Sequence, residues 1–186
     1  MTGLAFPWKA VLIGGAVIGT GVAIVQAVKK LGPGSTTKPI GRVALIGDSY
    51  AVGLGPELDK ILPEFKFEGH VGTTVSQWAD RVRSACDQCG DWLTGYVPDI
   101  VLVSLGVNDG ATPSRYDYVR IVNGLSKIGA KIKWIEPPAA VNTTSRAMIR
   151  SLAVPTIPGT QTPLAADGLH PKSYTQWARE IASALG

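Results

Sequence analysis

The chain has 186 residues, of which 45% are hydrophobic and 17% are charged, and its formal net charge is +4. Five of its 18 basic residues precede the first acidic residue, Asp48, so the remaining 13 face all 14 acidic residues. The positive charge therefore belongs to the N-terminal segment, which argues against a nucleic-acid partner, since such partners need basic residues clustered on the folded surface.

The first predicted element is a membrane-spanning helix within residues 1–30. Residues 10–28 carry no charge, and a helix of this length rises roughly 28 Å, close to the hydrocarbon thickness of a bilayer. Aromatic and basic residues border the segment, as expected at the two membrane interfaces: Phe6, Trp8, Lys9, Lys29 and Lys30. A cleaved signal peptide and a buried helix of a soluble protein are the alternatives.

Small residues recur at every fourth position of this segment and so share one face of the helix: Gly15, Gly19, Ala23 and Ala27. Such faces let membrane helices approach closely. We therefore expect this face to contact another helix or a second copy of the chain.

Two signals conflict over the side of the membrane on which the rest of the chain lies. The basic residues after the segment favour the cytoplasm, whereas Cys86 and Cys89 suit a local disulfide in an oxidising compartment, with two free thiols as the alternative. Of the two sides, the extracytoplasmic one is favoured. No metal site is expected, because His70 and His170 are the only histidines available to complete a cysteine-based zinc site.

Residues 31–41 are rich in Gly, Pro, Ser and Thr and are predicted to be a linker, followed by a domain over residues 42–186. The domain begins with an apolar run at 43–46 that is typical of a buried parallel strand. Asp48 and Ser49 follow at the end of this strand, where open α/β sheets bind ligands. Ser49 is a candidate nucleophile, or it caps the next helix together with Asp48.

The rest of the domain alternates between helical and strand patterns. Helices are predicted at 55–62, 75–86, 118–128, 146–152 and 173–185. Strands are predicted at 65–71, 99–105 and 131–135, with a short extended piece at 154–157. This alternation predicts a three-layer αβα fold with a mostly parallel sheet.

Polar residues after the predicted strands could together perform acyl transfer. A serine nucleophile needs a base, and the base needs a third group that fixes its tautomer; His170 and Asp167 could supply both. The backbone N–H groups of Ser49 and Gly72 and the amide of Asn108 could stabilise an oxyanion. Taken singly, each of these residues has an ordinary alternative role in a turn or a helix cap.

Four motifs in this order resemble the sequence blocks of the SGNH (GDSL-type) hydrolase family: Gly47-Asp48-Ser49, Gly72, Gly106-Val107-Asn108-Asp109 and Asp167-Gly168-Leu169-His170-Pro171. The resemblance covers nearly everything after Arg42. Tyr50 departs from the family pattern, which has leucine after the serine, and this leaves the local packing open.

The resemblance implies a flavodoxin-like SGNH fold and specific roles for the matching residues. Ser49 would be the nucleophile, His170 the base and Asp167 its partner. Ser49, Gly72 and Asn108 would form the oxyanion hole. The family works without a metal or an organic cofactor.

The leading functional hypothesis is a membrane-tethered serine esterase that acts through an acyl-enzyme. Its ester substrate would carry an acyl group, such as acetyl, on a carbohydrate or another cell-envelope component. A lysophospholipase or thioesterase is the first alternative. A non-catalytic virion or envelope module with the same fold is the second, although such a module need not keep all the catalytic residues.

Overall fold

The computed structural model describes residues 40–88 and 96–186. The predicted membrane segment at residues 10–28, most of the predicted linker and Cys89 lie outside these ranges. The membrane helix, its face of small residues and the pairing of Cys86 with Cys89 therefore stay predictions. In the part of the chain that the structure describes, no helix is both long and apolar enough to cross a membrane.

Five strands form a parallel sheet in the described residues: β1 (Val43–Gly47), β2 (Phe65–Gly69), β3 (Ile100–Ser104), β4 (Lys131–Ile135) and β5 (Thr156–Ile157). Their order is β2-β1-β3-β4-β5, and each neighbouring pair is parallel. This is the flavodoxin-like strand order, so the predicted fold class of the domain is confirmed. In this order β1 lies between β2 and β3, and the C-terminal ends of the three strands are neighbours.

Helices alternate with the strands along the chain: α1 (Ser49–Asp59), α2 (Val75–Gln88), α3 (Arg115–Ser126), α4 (Thr143–Arg150) and α5 (Tyr174–Ser183). Side chains alternate across each strand, so β1, β3 and β4 each contribute to two apolar cores. Ala44 and Ile46 of β1 face a core that α2, α3 and α4 complete. Val43 and Leu45 face a second core that α1 and α5 complete. The sheet is therefore the middle of three layers.

Helix α1 begins at Ser49, six residues earlier than its apolar pattern predicts. Asp48 caps it, because one carboxylate oxygen accepts the N–H of Tyr50 at 3.0 Å. Gly53 and Gly55 weaken the helical pattern in the sequence. Both are required by packing, since a Cβ on Gly53 would overlap the ring of Tyr174 and one on Gly55 would overlap that of Phe67.

The other predicted elements are present, and their ends differ from the predicted ends by at most three residues. The largest of these differences are at α3 and α4, which begin three residues before their predicted starts. Most residues of these first turns are polar and give no periodic apolar signal. The extended piece at 154–157 contributes the edge strand β5, which pairs with β4.

Candidate active site

The predicted site residues lie after the C-terminal ends of β1, β2 and β3 or in the loop before α5. Ser49 is the first residue of α1, two residues beyond β1. Gly72 follows β2, Asn108 follows β3, and Asp167 and His170 precede α5. Because neighbouring parallel strands end at the same edge of a sheet, the fold places the first three groups at one edge.

Ser49, His170 and Asp167 form a continuous chain of hydrogen bonds. The Oγ atom of Ser49 lies 3.0 Å from Nε2 of His170. The Nδ1 atom of the same ring lies 2.7 Å from Oδ2 of Asp167. Both distances are those of well-formed hydrogen bonds. The structure thus brings together all three residues that the sequence predicts as nucleophile, base and partner.

The loop from Asp167 to His170 is built around the Asp167 carboxylate. Its Oδ1 accepts the backbone N–H of Leu169 at 2.9 Å and that of His170 at 3.0 Å. Gly168 adopts a φ of +67°, in the left-handed region that glycine adopts without strain. The hydrogen bond from His170, together with the two N–H groups, lowers the pKa of Asp167 to about 2. The carboxylate is therefore ionised at neutral pH, and His170 donates from Nδ1, which leaves Nε2 free to accept a proton.

The sequence leaves open whether Ser49 is a nucleophile or caps α1 together with Asp48. Asp48 is the cap of α1, and it is fully buried. Burial raises the pKa of Asp48 to about 7, with the N–H groups of Tyr50 and Val107 acting against that rise. Its Oδ2 has no hydrogen-bond partner in the described residues. Ser49 is half-buried, and its N–H is among the free donors at the start of the helix.

Gly72 lies in an exposed turn after β2, with a φ of +76°. Hydrogen bonds from the N–H and hydroxyl of Thr73 to the carbonyl oxygen of His70, at 3.3 and 2.7 Å, close this turn. The N–H of Gly72 donates to no residue in the described ranges. It is therefore available to a ligand.

Asn108 links the turn after β2 to the loop after β3. Its Nδ2 donates to the carbonyl oxygen of Thr73 at 2.9 Å, and its second amide hydrogen has no acceptor among residues 40–88 and 96–186. Asp109 anchors the same loop, because it accepts the N–H of Val75 at 3.0 Å and the hydroxyl of Tyr118 at 2.7 Å. These contacts tie the loop that carries Asn108 to α2 and α3.

Asn142 supports the site, and the sequence analysis missed it. Its Nδ2 donates to the carbonyl oxygens of Gly106 and Asp109 at 2.9 and 2.6 Å, on either side of Asn108. Its side-chain oxygen caps α4 by accepting the N–H of Ser145 at 3.0 Å. The residue is left-handed, with a φ of 40°. An Asn just before Thr143 and Thr144 is a helix-start signal, but it does not reveal the contact with the distant loop.

No group of three or more His, Cys, Asp and Glu side chains in the described ranges could hold a metal ion. His70 lies just beyond β2 and is only partly exposed. Its Nε2 lies 2.7 Å from Glu68 and 3.3 Å from Arg81. His70 therefore belongs to a separate polar cluster.

No protein-family model matches the sequence, and no curated protein matches it significantly. Solved structures do match. The C-terminal catalytic domain of Streptococcus pneumoniae peptidoglycan O-acetyltransferase A is 21% identical, with a TM-score of 0.59 over 77% of this chain and 92% of that chain. The Clostridium thermocellum family 3 carbohydrate esterase is 17% identical, with a TM-score of 0.57 over 77% and 94%. A proposed SGNH hydrolase from Slackia heliotrinireducens is 17% identical, with a TM-score of 0.57 over 78% and 98%. The domain therefore has the fold of the SGNH hydrolases, as its motifs predict.

Proposed function

We propose that this protein with an SGNH-hydrolase fold is a serine ester hydrolase that acts through an acyl-enzyme. The observation that carries the proposal is the hydrogen-bonded chain from Asp167 through His170 to Ser49. A serine hydroxyl is a weak nucleophile until a base removes its proton. The support for such a base is that Nε2 of His170 lies 3.0 Å from Oγ of Ser49, while Nδ1 of the same ring contacts the Asp167 carboxylate.

The first half of the reaction transfers the acyl group to Ser49. As Oγ attacks the ester carbonyl, Nε2 of His170 takes its proton, and the Asp167 carboxylate stabilises the imidazolium that forms. The tetrahedral intermediate then breaks its bond to the alcohol oxygen. His170 gives the same proton to that oxygen, and the alcohol leaves.

The second half releases the acid. His170 takes a proton from water as the water oxygen attacks the acyl-Ser49 carbonyl, and it returns that proton to Oγ when the bond to Ser49 breaks. In both halves the oxyanion accepts hydrogen bonds from the N–H of Ser49, the N–H of Gly72 and the free amide hydrogen of Asn108. Removing one such donor typically costs a factor of about 10² to 10³ in kcat.

The proposed substrate is an O-acyl group, such as acetyl, on a carbohydrate of the cell envelope. A cavity of about 230 Å³ is lined by residues that follow Gly72 and Asn108 in the sequence, and five of its ten lining residues carry a hydroxyl group while two carry a carboxylate. The hydroxyl-bearing residues are Thr74, Ser76, Thr112, Ser114 and Tyr118. Such a surface suits a polyhydroxylated ligand. Two of the matched structures are named for peptidoglycan O-acetyl transfer and for carbohydrate ester hydrolysis, which favours the same class.

Hydrolysis of p-nitrophenyl acetate by the purified protein tests the chemistry. The wild type should release nitrophenol, and Ser49→Ala should lower kcat by a factor on the order of 10³ or more, since removal of one triad member is enough to disable the unit. Ser183→Ala is the matched control, because Ser183 is exposed at the end of α5. Equal rates for wild type and Ser49→Ala would contradict the proposal. They would favour the alternative hypothesis, in which the protein is a non-catalytic module with this fold.

A second comparison tests the substrate class. Acetylated glycans, lysophospholipids and acyl thioesters should be supplied to the same preparation, and kcat/KM should be highest for the acetylated glycan. A higher value for the lysophospholipid or the thioester would replace the carbohydrate assignment and leave the role of Ser49 intact.

We also propose that residues 10–28 anchor the domain to a membrane. The support is the uncharged length of the segment and the aromatic and basic residues that border it.

A further inference from the structure

Tyr50 occupies the position at which the chain departs from the GDSL motif, and its side chain reaches the loop that carries the base. It is 2% exposed. Its hydroxyl donates to the carbonyl oxygen of Leu169 at 2.9 Å, across 119 positions of sequence. Its ring meets the ring of His170 edge to face, with 5.7 Å between centroids, and that of Trp177 in the same way at 5.2 Å.

The two contacts from the start of α1 to this loop are made by adjacent residues. Ser49 contacts His170, and Tyr50 contacts Leu169. The carbonyl of Leu169 and the N–H of His170 belong to one peptide unit. Its carbonyl accepts the Tyr50 hydroxyl, and its N–H donates to Oδ1 of Asp167 at 3.0 Å. The peptide that precedes the base is therefore held at both ends, and it cannot rotate without breaking a hydrogen bond.

The same arrangement couples Tyr50 electronically to Asp167. A donor on a peptide carbonyl polarises the peptide unit, and hydrogen bonds in such chains strengthen one another. The Tyr50 hydroxyl therefore strengthens the bond from the His170 N–H to the Asp167 carboxylate. Burial raises the pKa of Tyr50 well above its ordinary value, so the hydroxyl remains a donor throughout the working pH range.

We propose that Tyr50 is a positioning residue, which fixes the peptide between Leu169 and His170 and thereby aligns the imidazole with Ser49 and Asp167. This role rests on the proposed esterase function of the triad. A leucine at position 50 could fill the space beside Trp177 but could not donate to the Leu169 carbonyl. The chain thus supports its base through a hydrogen bond that the usual GDSL motif cannot make.

Tyr50→Phe removes the hydroxyl and retains the ring contacts, so it tests the proposal in the 186-residue chain. With p-nitrophenyl acetate, kcat should fall about 10-fold, the factor expected from one net hydrogen bond, while KM stays unchanged. The low-field proton signal of His170 Nδ1–H should broaden, because the imidazole then samples more orientations.

The matched control is Tyr96→Phe. The Tyr96 hydroxyl lies 2.9 Å from the carbonyl oxygens of Val43 and Glu64, at the opposite end of the sheet from the site. Its removal should lower the melting temperature and leave kcat and the low-field signal at wild-type values. If Tyr50→Phe behaved in the same way, Tyr50 would be a packing residue only and the proposal would be overturned.

A second measurement covers the case in which Tyr50→Phe does not fold. Incorporation of 3-fluorotyrosine at position 50 retains the ring and the hydroxyl but makes the hydroxyl a stronger donor, so the low-field signal should shift. An unchanged signal would contradict the proposal. Wild-type activity separates the two hypotheses. An inactive wild type overturns the esterase function. An active wild type whose kcat and low-field signal do not respond to changes at Tyr50 overturns only the positioning role.

Discussion

Three consecutive residues after β1 make three different contacts. Asp48 caps α1, the Ser49 hydroxyl lies within hydrogen-bonding distance of His170, and the Tyr50 hydroxyl donates to the carbonyl oxygen of Leu169. The sequence predicts the first two of these, because capping acids and a serine at a strand end are local signals. The third is a contact with Leu169 that no local pattern contains. Conservative changes at these positions should therefore have separable effects.

Asp48→Asn should change the pH dependence of stability. The unfolded chain releases the carboxyl proton near 3.8, whereas the folded protein keeps it up to about pH 7 because the group is buried. Between these pH values the native state binds more protons, so the free energy of unfolding of the wild type falls as pH rises. Asparagine does not titrate. The free energy of unfolding of Asp48→Asn, relative to that of wild type, should therefore rise by up to about 4 kcal/mol from pH 4 to pH 8.

Urea unfolding at pH 4 and pH 8 measures this difference. The suitable protein is the chain from Lys38 onward, which forms one compact unit. A stability difference between Asp48→Asn and wild type that stays constant over this range would show that the buried carboxyl is ionised throughout.

Asp167→Asn should leave the fold intact and reduce kcat by a factor on the order of 10³ to 10⁴. An amide at this position can present its N–H to Nδ1 of His170 and so stabilise the wrong tautomer, and it cannot balance the imidazolium charge. Steady-state kinetics and a thermal melt of the same sample test this. Asp59→Asn, in the last turn of α1, is the control and should keep the wild-type kcat. Retention of wild-type kcat by Asp167→Asn would remove Asp167 from the mechanism.

At the scale of elements, the sequence predicts the helices and strands well where one face is apolar. It predicts them poorly where packing between elements determines which residues an element contains. The pattern at 131–135 predicts both ends of β4 correctly, because the first four side chains of the strand alternate in burial. The pattern after Ser49 fails to show the start of α1, since two glycines lie in its first turns. Glycine occurs at these two positions because the rings of Tyr174 and Phe67 approach the helix closely. These are tertiary contacts, which the local sequence pattern does not show.

Asn142 allows the loop contacts and the helix cap to be separated. Asn142→Asp keeps the side-chain oxygen that caps α4 and tolerates the left-handed backbone, but it loses the two hydrogen bonds to the loop. Asn142→Ala loses the helix cap as well as the two hydrogen bonds to the loop and should cost about 2 kcal/mol of stability. Both variants should lower kcat, because both free the loop that carries Asn108. A wild-type kcat in Asn142→Asp would show that the loop does not depend on these bonds.

At the scale of the whole molecule, the strand order creates the site. Because β1 lies between β2 and β3, the segments that carry Ser49, Gly72 and Asn108 meet at one edge. The alternation of helices and strands predicts a parallel sheet, and the motifs predict which residues end its strands. Neither predicts the support from Asn142 and Tyr50, because each contacts residues more than thirty positions away and leaves no periodic signal.

Deletion of residues 1–30 tests the proposed anchor. The full chain should sediment with membranes, and the shortened chain should remain in the supernatant with an unchanged kcat for p-nitrophenyl acetate. Substitution of Gly15 and Gly19 by leucine serves as a control, because it alters the face of small residues but keeps the length and apolarity of the segment. Sedimentation of the shortened chain with membranes would contradict the anchor.

Covalent labelling by a fluorophosphonate, followed by peptide mapping, tests the nucleophile most directly. In the wild type the adduct should lie on Ser49, and His170→Ala should label far more slowly because Oγ then lacks its base. Ser49→Ala should remain unlabelled. An unlabelled wild type, or an adduct on another residue that persists in Ser49→Ala, would contradict the assignment of Ser49 as the nucleophile.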